Sequence, residues 1–177
     1  MQIRRLQAAV ILGIFFLGGC ATFGPSKDDL VIESHMLDLD RDGGKECIEV
    51  WDESGEGKET LIVVRQRRSK KVSDFTVPGS FTGIEFFDLD WDGRRQIAVY
   101  YKDERKNENL VIYEYNNSSF FKIFYGQSTC RIEADVSAMI TRVKIARPAR
   151  GQRDCFPLSR NEWEIWVWTG EEFIRER

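Results

Sequence analysis

The sequence is short of the residues that most catalytic and metal chemistry requires. It holds one histidine, His35, so histidine-based triads and multi-histidine zinc sites are excluded. His35 reads instead as a turn residue near an acidic loop. Of four cysteines none stands in C-x-x-C spacing, which argues against a structural zinc cluster. Positive charge is not in excess: 26 Lys and Arg stand against 29 Asp and Glu. No basic stripe of the kind nucleic-acid binding needs is present, and the mixed charges read as a solvated surface. No apolar run approaches the roughly 20 residues that span a bilayer as a helix. Beyond the first residues no helical period persists, which leaves an all-β chain of about a dozen strands.

What the sequence does have is a repeated acidic loop. Asp38-Leu39-Asp40-Arg41-Asp42-Gly43 returns fifty positions later as Asp88-Leu89-Asp90-Trp91-Asp92-Gly93. Carboxylates at alternate positions before a glycine can turn several oxygens toward one point, as a hard cation such as calcium requires. The flanks decide between two kinds of calcium loop. An EF-hand carries a bidentate Glu at its twelfth position, followed by a helix. Here the twelfth positions are Glu49 and Val99, the eighth are Lys45 and Arg95, and both loops exit into apolar, strand-like runs. An EF-hand is therefore not expected.

Strands repeat along with the loops. Glu46 to Trp51 matches Gln96 to Tyr101, and Leu61 to Val64 matches Val111 to Glu114, with polar turns between them. A third copy is degraded: Ile132 to Val136 resembles Ile84 to Asp88 but no acids follow, while Glu164 to Ile174 again reads as strand, glycine turn, strand. The expectation is an all-β domain of three repeated four-stranded antiparallel meanders over residues 30–177, with units at about 30–80, 81–128 and 129–177. Trp163, Trp166 and Trp168 alternate in a strand and read as core filling rather than a binding platform. The basic run Arg65 to Lys71 reads as a solvated hairpin tip. Cys130 and Cys155 flank strands of the third unit and are the expected disulfide, which leaves Cys47, inside an apolar strand, as a small hydrophobe.

The first nineteen residues have the layout of a signal peptide: Arg4 and Arg5, then an apolar run from Leu6 to Leu17. Leu17-Gly18-Gly19-Cys20 resembles the lipobox of bacterial lipoproteins. The resemblance implies cleavage before Cys20, lipidation of that residue, and a tether over residues 20–29. Ala21 follows the cysteine, and by the sorting rule of enterobacterial lipoproteins that favours the outer membrane. Loss of residues 1–19 removes Arg4 and Arg5 and no acid, taking the formal charge from −3 to −5.

The acidic loops between strands resemble those of FG-GAP and VCBS repeats, the units of integrin-α-type propellers, which read D-x-D-x-D-G-x-x-D. That likeness implies calcium ligands at Asp38, Asp40, Asp42 and Glu46, with the carbonyl of Gly44, in the first loop. In the second it implies Asp88, Asp90, Asp92 and Gln96. Gln96 in place of an acid, with Arg94 and Arg95 beside it, makes the first loop the tighter site. A closed propeller needs four or more blades and three units fit here, so the likeness implies a partial or small propeller-like domain. The function expected is a calcium-binding, membrane-anchored envelope module without enzymatic activity, serving an envelope protein or glycan partner. The alternatives are a carboxylate-based hydrolase of envelope glycans and a structural lipoprotein with acidic turns and no ion.

Overall fold

The computed structural model describes residues 30–52, 59–66, 70–116, 119–137, 140–149, 155 and 162–176. The expected signal segment, the expected lipobox with Cys20 and the expected tether lie outside them. Twelve strands run in three groups of four. The first group is β1 (Leu30–Leu37), β2 (Glu46–Asp52), β3 (Thr60–Gln66) and β4 (Val72–Val77). The second is β5 (Ser80–Phe87), β6 (Gln96–Lys102), β7 (Glu108–Asn116) and β8 (Ser119–Ser128). The third is β9 (Arg131–Ser137), β10 (Ile140–Arg147), β11 (Glu162–Trp168) and β12 (Phe173–Arg175). Each group forms its own sheet, with every strand bonded antiparallel to its neighbour in chain order. The domain is all-β, built of three four-stranded meanders, and no sheet closes into a barrel.

The first two sheets repeat down to their irregularities. β1 and β5 begin and end fifty residues apart, and so do β2 and β6. The same bulge recurs, with pairing skipping a residue between Val31 and Glu33 and again between Phe81 and Gly83. Ser80 opens β5, so the second unit starts one residue earlier than its sequence expectation. His35 is likewise displaced: it lies within β1, opposite Ile48, its ring packed edge-on against Phe86 at 5.0 Å.

Burial explains why the middle strands are apolar without alternation. Ile48, Val50, Ile62 and Val64 of the first sheet pack against Ile97, Val99, Val111 and Tyr115 of the second. The other face of the second sheet, with Ala98, Leu110, Ile112 and Phe124, packs against Ile132, Val143, Ile145 and Phe173 of the third. A sheet covered on both faces needs apolar residues at consecutive positions, as Ile97-Ala98-Val99 supplies. Each such side chain contributes about 1.5–3 kcal/mol of transfer free energy. A one-residue slip would move it to the opposite face, so the register is strongly specified. Trp166 and Trp168 join the second core, against Phe124 at 5.9 Å and Phe173 at 5.2 Å, while Trp163 sits on the other face of β11.

The outer face of the first sheet carries a separate buried cluster of Trp51, Leu61 and Val63. Glu49 is buried among them and accepts hydrogen bonds from Arg65 Nε at 3.1 Å and Trp51 Nε1 at 3.3 Å. Arg65 therefore belongs to a partly buried ion pair rather than to a solvated hairpin tip; residues 67–69 of that run lie outside the described residues. Cys130 and Cys155 form the expected disulfide. Cys47 is disulfide-bonded as well, which corrects the reading of Cys47 as an unbridged small hydrophobe.

Gly79, in the short link between the first two sheets, has φ +150°. A Cβ there would overlap the carbonyl oxygen of Lys102, a backbone atom with no room to yield. Gly43, at φ +77°, has no atom within 4 Å of that position. Gly79→Ala should therefore cost about 3 kcal/mol or more and Gly43→Ala about 1–2 kcal/mol, by urea unfolding. Equal losses would contradict the close approach at Gly79.

Candidate metal centre

Each acidic loop connects the first two strands of its sheet, and the middle residue of each Asp-Leu-Asp fixes it. Leu39 is fully buried in the core between the first and second sheets, and Leu89 is buried in the core between the second and third. With the leucine turned inward, its two flanking aspartates stand outside the apolar layer. The leucine N–H is also held. Leu39 N donates to Glu46 Oε2 at 2.8 Å, and Leu89 N donates to Gln96 Oε1 at 3.0 Å. Both acceptors are the first residue of the following strand, and both are buried, at 2% and 5% exposure.

The turn itself is made by the aspartates and two left-handed residues. Arg41 and Trp91, equivalent in the two loops, have φ +62° and +61°, and Gly43 and Gly93 follow at +77° and +90°. Asp38 Oδ2 accepts from Gly43 N at 2.9 Å and Asp88 Oδ2 from Gly93 N at 3.1 Å. Asp40 Oδ1 accepts from Asp42 N at 3.2 Å. Asp42 Oδ1 accepts from Gly44 N at 2.5 Å, and Asp92 Oδ1 from Arg94 N at 2.8 Å. Such carboxylate-to-backbone bonds build an acidic turn by themselves.

They do not use every oxygen. Asp38 Oδ1 and Asp88 Oδ1 are buried and have no hydrogen-bond partner, the same atom in both loops. In each loop the three aspartates also converge, with one oxygen from each lying within 4.8 Å of the others. Oxygens bound to one calcium at 2.3–2.6 Å stand at most roughly 5 Å apart, so three oxygens at this spacing fit a single ion. An unpaired buried carboxylate oxygen is costly, and a cation between the three carboxylates removes that cost.

The structure sorts the residues implied by the family resemblance. It brings together Asp38, Asp40 and Asp42, and separately Asp88, Asp90 and Asp92. Glu46 and Gln96 stand beneath the triplets as caps for the leucine N–H groups, and Gly44 enters through its own N–H to Asp42. Burial pushes the Glu46 carboxyl above its ordinary pKa, the bond from Leu39 opposes this, and the charges of Asp40, Asp38 and Asp42 add to the rise. The second loop differs in one further respect: Arg94 Nε lies 3.0 Å from Asp92 Oδ2, an exposed pair that competes for that oxygen.

The two loops also touch, which the repeat alone does not reveal. Arg95 N donates to Leu39 O at 2.8 Å, and the Arg41 guanidinium donates to the carbonyl of Asp92. The Arg41 stem covers Gly93, where a Cβ would meet Arg41 Cδ at 2.9 Å. Arg41, through its guanidinium, and Arg95, through its backbone N–H, are thus the residues that join the two turns.

Away from the loops, a cleft of about 630 Å³ between the second and third sheets is lined by Glu85, Glu108 and Glu133 among others. Each is engaged by a donor: Glu85 by the Tyr100 hydroxyl at 3.1 Å, Glu108 by Ile132 N at 3.2 Å, and Glu133 by Arg131 Nε at 3.0 Å. Compared with known protein families, curated proteins and solved structures, the chain matches none.

Glu46 offers a direct check on this local architecture. Its folded carboxyl is raised, so the folded state holds the proton more tightly than the unfolded state. Its contribution is then favourable at low pH and is lost as pH rises through the carboxyl range. Glu46→Gln keeps the acceptor for Leu39 N and removes the charge, as Gln96 does in the second loop. In chelator at neutral pH it should unfold at a higher temperature than the parent. Glu46→Ala should lose about 1–3 kcal/mol by leaving the Leu39 N–H unpaired. A lower midpoint for Glu46→Gln would contradict the account.

Proposed function

We propose that this protein is an envelope lipoprotein whose β domain holds structural calcium at the two acidic loops and serves as a membrane-tethered binding module. The observation that carries the calcium reading is the pair of orphaned oxygens, Asp38 Oδ1 and Asp88 Oδ1, each inside a converging triplet of carboxylates. The resemblance to FG-GAP and VCBS loops supports the same ion. Calcium there neutralises clustered charge and pins the ends of β1, β2, β5 and β6. Affinity in the range of extracellular modules, about 10⁻⁴ to 10⁻³ M, suits sites with so few charged ligands. The first loop is the tighter, because Asp92 in the second shares its charge with Arg94.

The tether rests on the signal layout and on Leu17-Gly18-Gly19-Cys20. Two or more acyl chains anchor stably where one does not. The intact mass of the processed protein decides: a chain beginning at Cys20 and carrying acyl mass supports the tether, and an unacylated Cys20 rejects it.

Trp91, exposed within the second loop, is a built-in reporter for the ion. Excitation of tryptophan in the presence of terbium should give sensitised emission that calcium displaces. Asp88→Asn should remove most of the signal, and Trp91→Phe should remove it while leaving calcium binding unchanged. Absence of sensitised emission, or its persistence in Asp88→Asn, would reject an ion at the second loop.

A further inference from the structure

On the face of the second sheet turned toward the first, the side chains change character along the strands. Near the acidic loop Ile97, Val99 and Val111 are buried in the core. At the opposite end of β6 the same face carries Tyr101, Asn109, Gln127 and Tyr125, brought side by side by the register Tyr101 to Asn109, Asn109 to Gln127, and Val111 to Tyr125. A cleft of about 670 Å³ opens over them, closed on one side by Pro78 and Glu59 of the first unit. A neighbouring recess of about 350 Å³ shares Pro78, Tyr101 and Tyr125.

The polar groups in this cleft are interlocked. Asn109, at 1% exposure, accepts from the Tyr125 hydroxyl at 2.9 Å and from Gln127 Nε2 at 3.2 Å, and donates to Asn107 O at 2.9 Å. Asp103 Oδ2 accepts from Asn107 Nδ2 and from Gln127 Nε2, both at 2.9 Å. Asp103 Oδ1 closes the β6–β7 turn by accepting from the N–H groups of Arg105 and Asn107. Holding that turn needs no more than the Asp103 backbone bonds. The network goes further, across two strands, and fixes Gln127 and the half-exposed ring of Tyr125 at the mouth.

Fixed side chains of this kind lose little entropy on binding, which is the advantage of preorganisation. A tyrosine ring offers an apolar face beside a polar tip, and the amides offer donors and acceptors together. Glu59, Asp103 and Glu104 outnumber Arg105 along the rim, so phosphates and other anions are disfavoured. A ligand with an apolar face, a rim of hydroxyls and no negative charge fits these walls.

We propose that this cleft binds a neutral oligosaccharide, one sugar ring lying on Tyr125 and its hydroxyls reaching Gln127 and Glu104 at the rim. The inference rests on the reading of the domain as a binding module and not on the ions, since the cleft lies at the far end of β6 from the acidic loop.

The test is saturation-transfer NMR and calorimetry on the whole chain with maltotriose, cellotriose and triacetylchitotriose. Saturable binding of at least one is expected. Tyr125→Ala should weaken it about tenfold or more, equivalent to about 1.4 kcal/mol, while Tyr125→Phe stays within about threefold. Gln127→Ala, an exposed substitution, should weaken it about threefold in a chain that still unfolds cooperatively, which guards against a Tyr125→Ala variant that fails to fold. No binding of any of the three up to about 10 mM, well beyond a millimolar Kd of about −4 kcal/mol, overturns the proposal. So does binding that neither Tyr125→Ala nor Gln127→Ala weakens. A calcium response without sugar binding sinks the cleft alone, and sugar binding without a calcium response sinks the loops alone.

Discussion

The structure depends on one repeated hydrogen bond, from the N–H of the leucine in Asp-Leu-Asp to a buried side-chain oxygen seven residues later. Leu39 gives it to Glu46 and Leu89 gives it to Gln96. The leucine is fixed twice, by this bond and by its side chain in the core, so the flanking aspartates are held outside the apolar layer. Their convergence follows from that constraint. A buried carboxylate at Glu46 is an expensive acceptor among three other acids, and Gln96 shows that an amide serves the same purpose. The energetics of the two loops therefore differ although their backbones match.

The same leucines tie the loops to the stack of sheets. Leu39 belongs to the first core and Leu89 to the second, so each turn is anchored between a different pair of sheets. The bonds from Arg95 N to Leu39 O and from Arg41 to the Asp92 carbonyl then join the turns to each other. The middle sheet, covered on both faces, holds this arrangement in place, and its far end, around Tyr101 and Tyr125, lies away from both loops.

Much of this was legible in the sequence because the repeat was. The fifty-residue offset of Asp38 and Asp88 fixed the first two sheets, and strand boundaries at Glu46 and Gln96 follow from β-branched and aromatic runs between polar turns. The pairing of Cys130 with Cys155 was likewise readable. Other features were not. Glu46 and Gln96 stood out by position in a motif, but their bonds to the leucine N–H groups beneath the loops carried no signal. His35 looked like a turn residue because it is polar and near the loop, yet its ring packs on Phe86. Arg65 looked solvated because its neighbours are basic, but its partner, Glu49, is sixteen residues away on the adjacent strand. The left-handed φ of Arg41 and Trp91 had no signal, since neither residue type favours it. Contacts across strands and between units are set by packing, which a single strand's pattern does not carry.

The most direct measurement is thermal unfolding of the protein in excess calcium, in excess magnesium and in chelator. A site filled at 100 times its dissociation constant adds about 2.7 kcal/mol, which a shifted midpoint reports easily. The account predicts a higher midpoint in calcium than in magnesium or chelator, with most of the difference abolished by Asp38→Asn. Superimposed curves in all three conditions would contradict it, and would leave the loops as acidic turns held by their own backbone bonds.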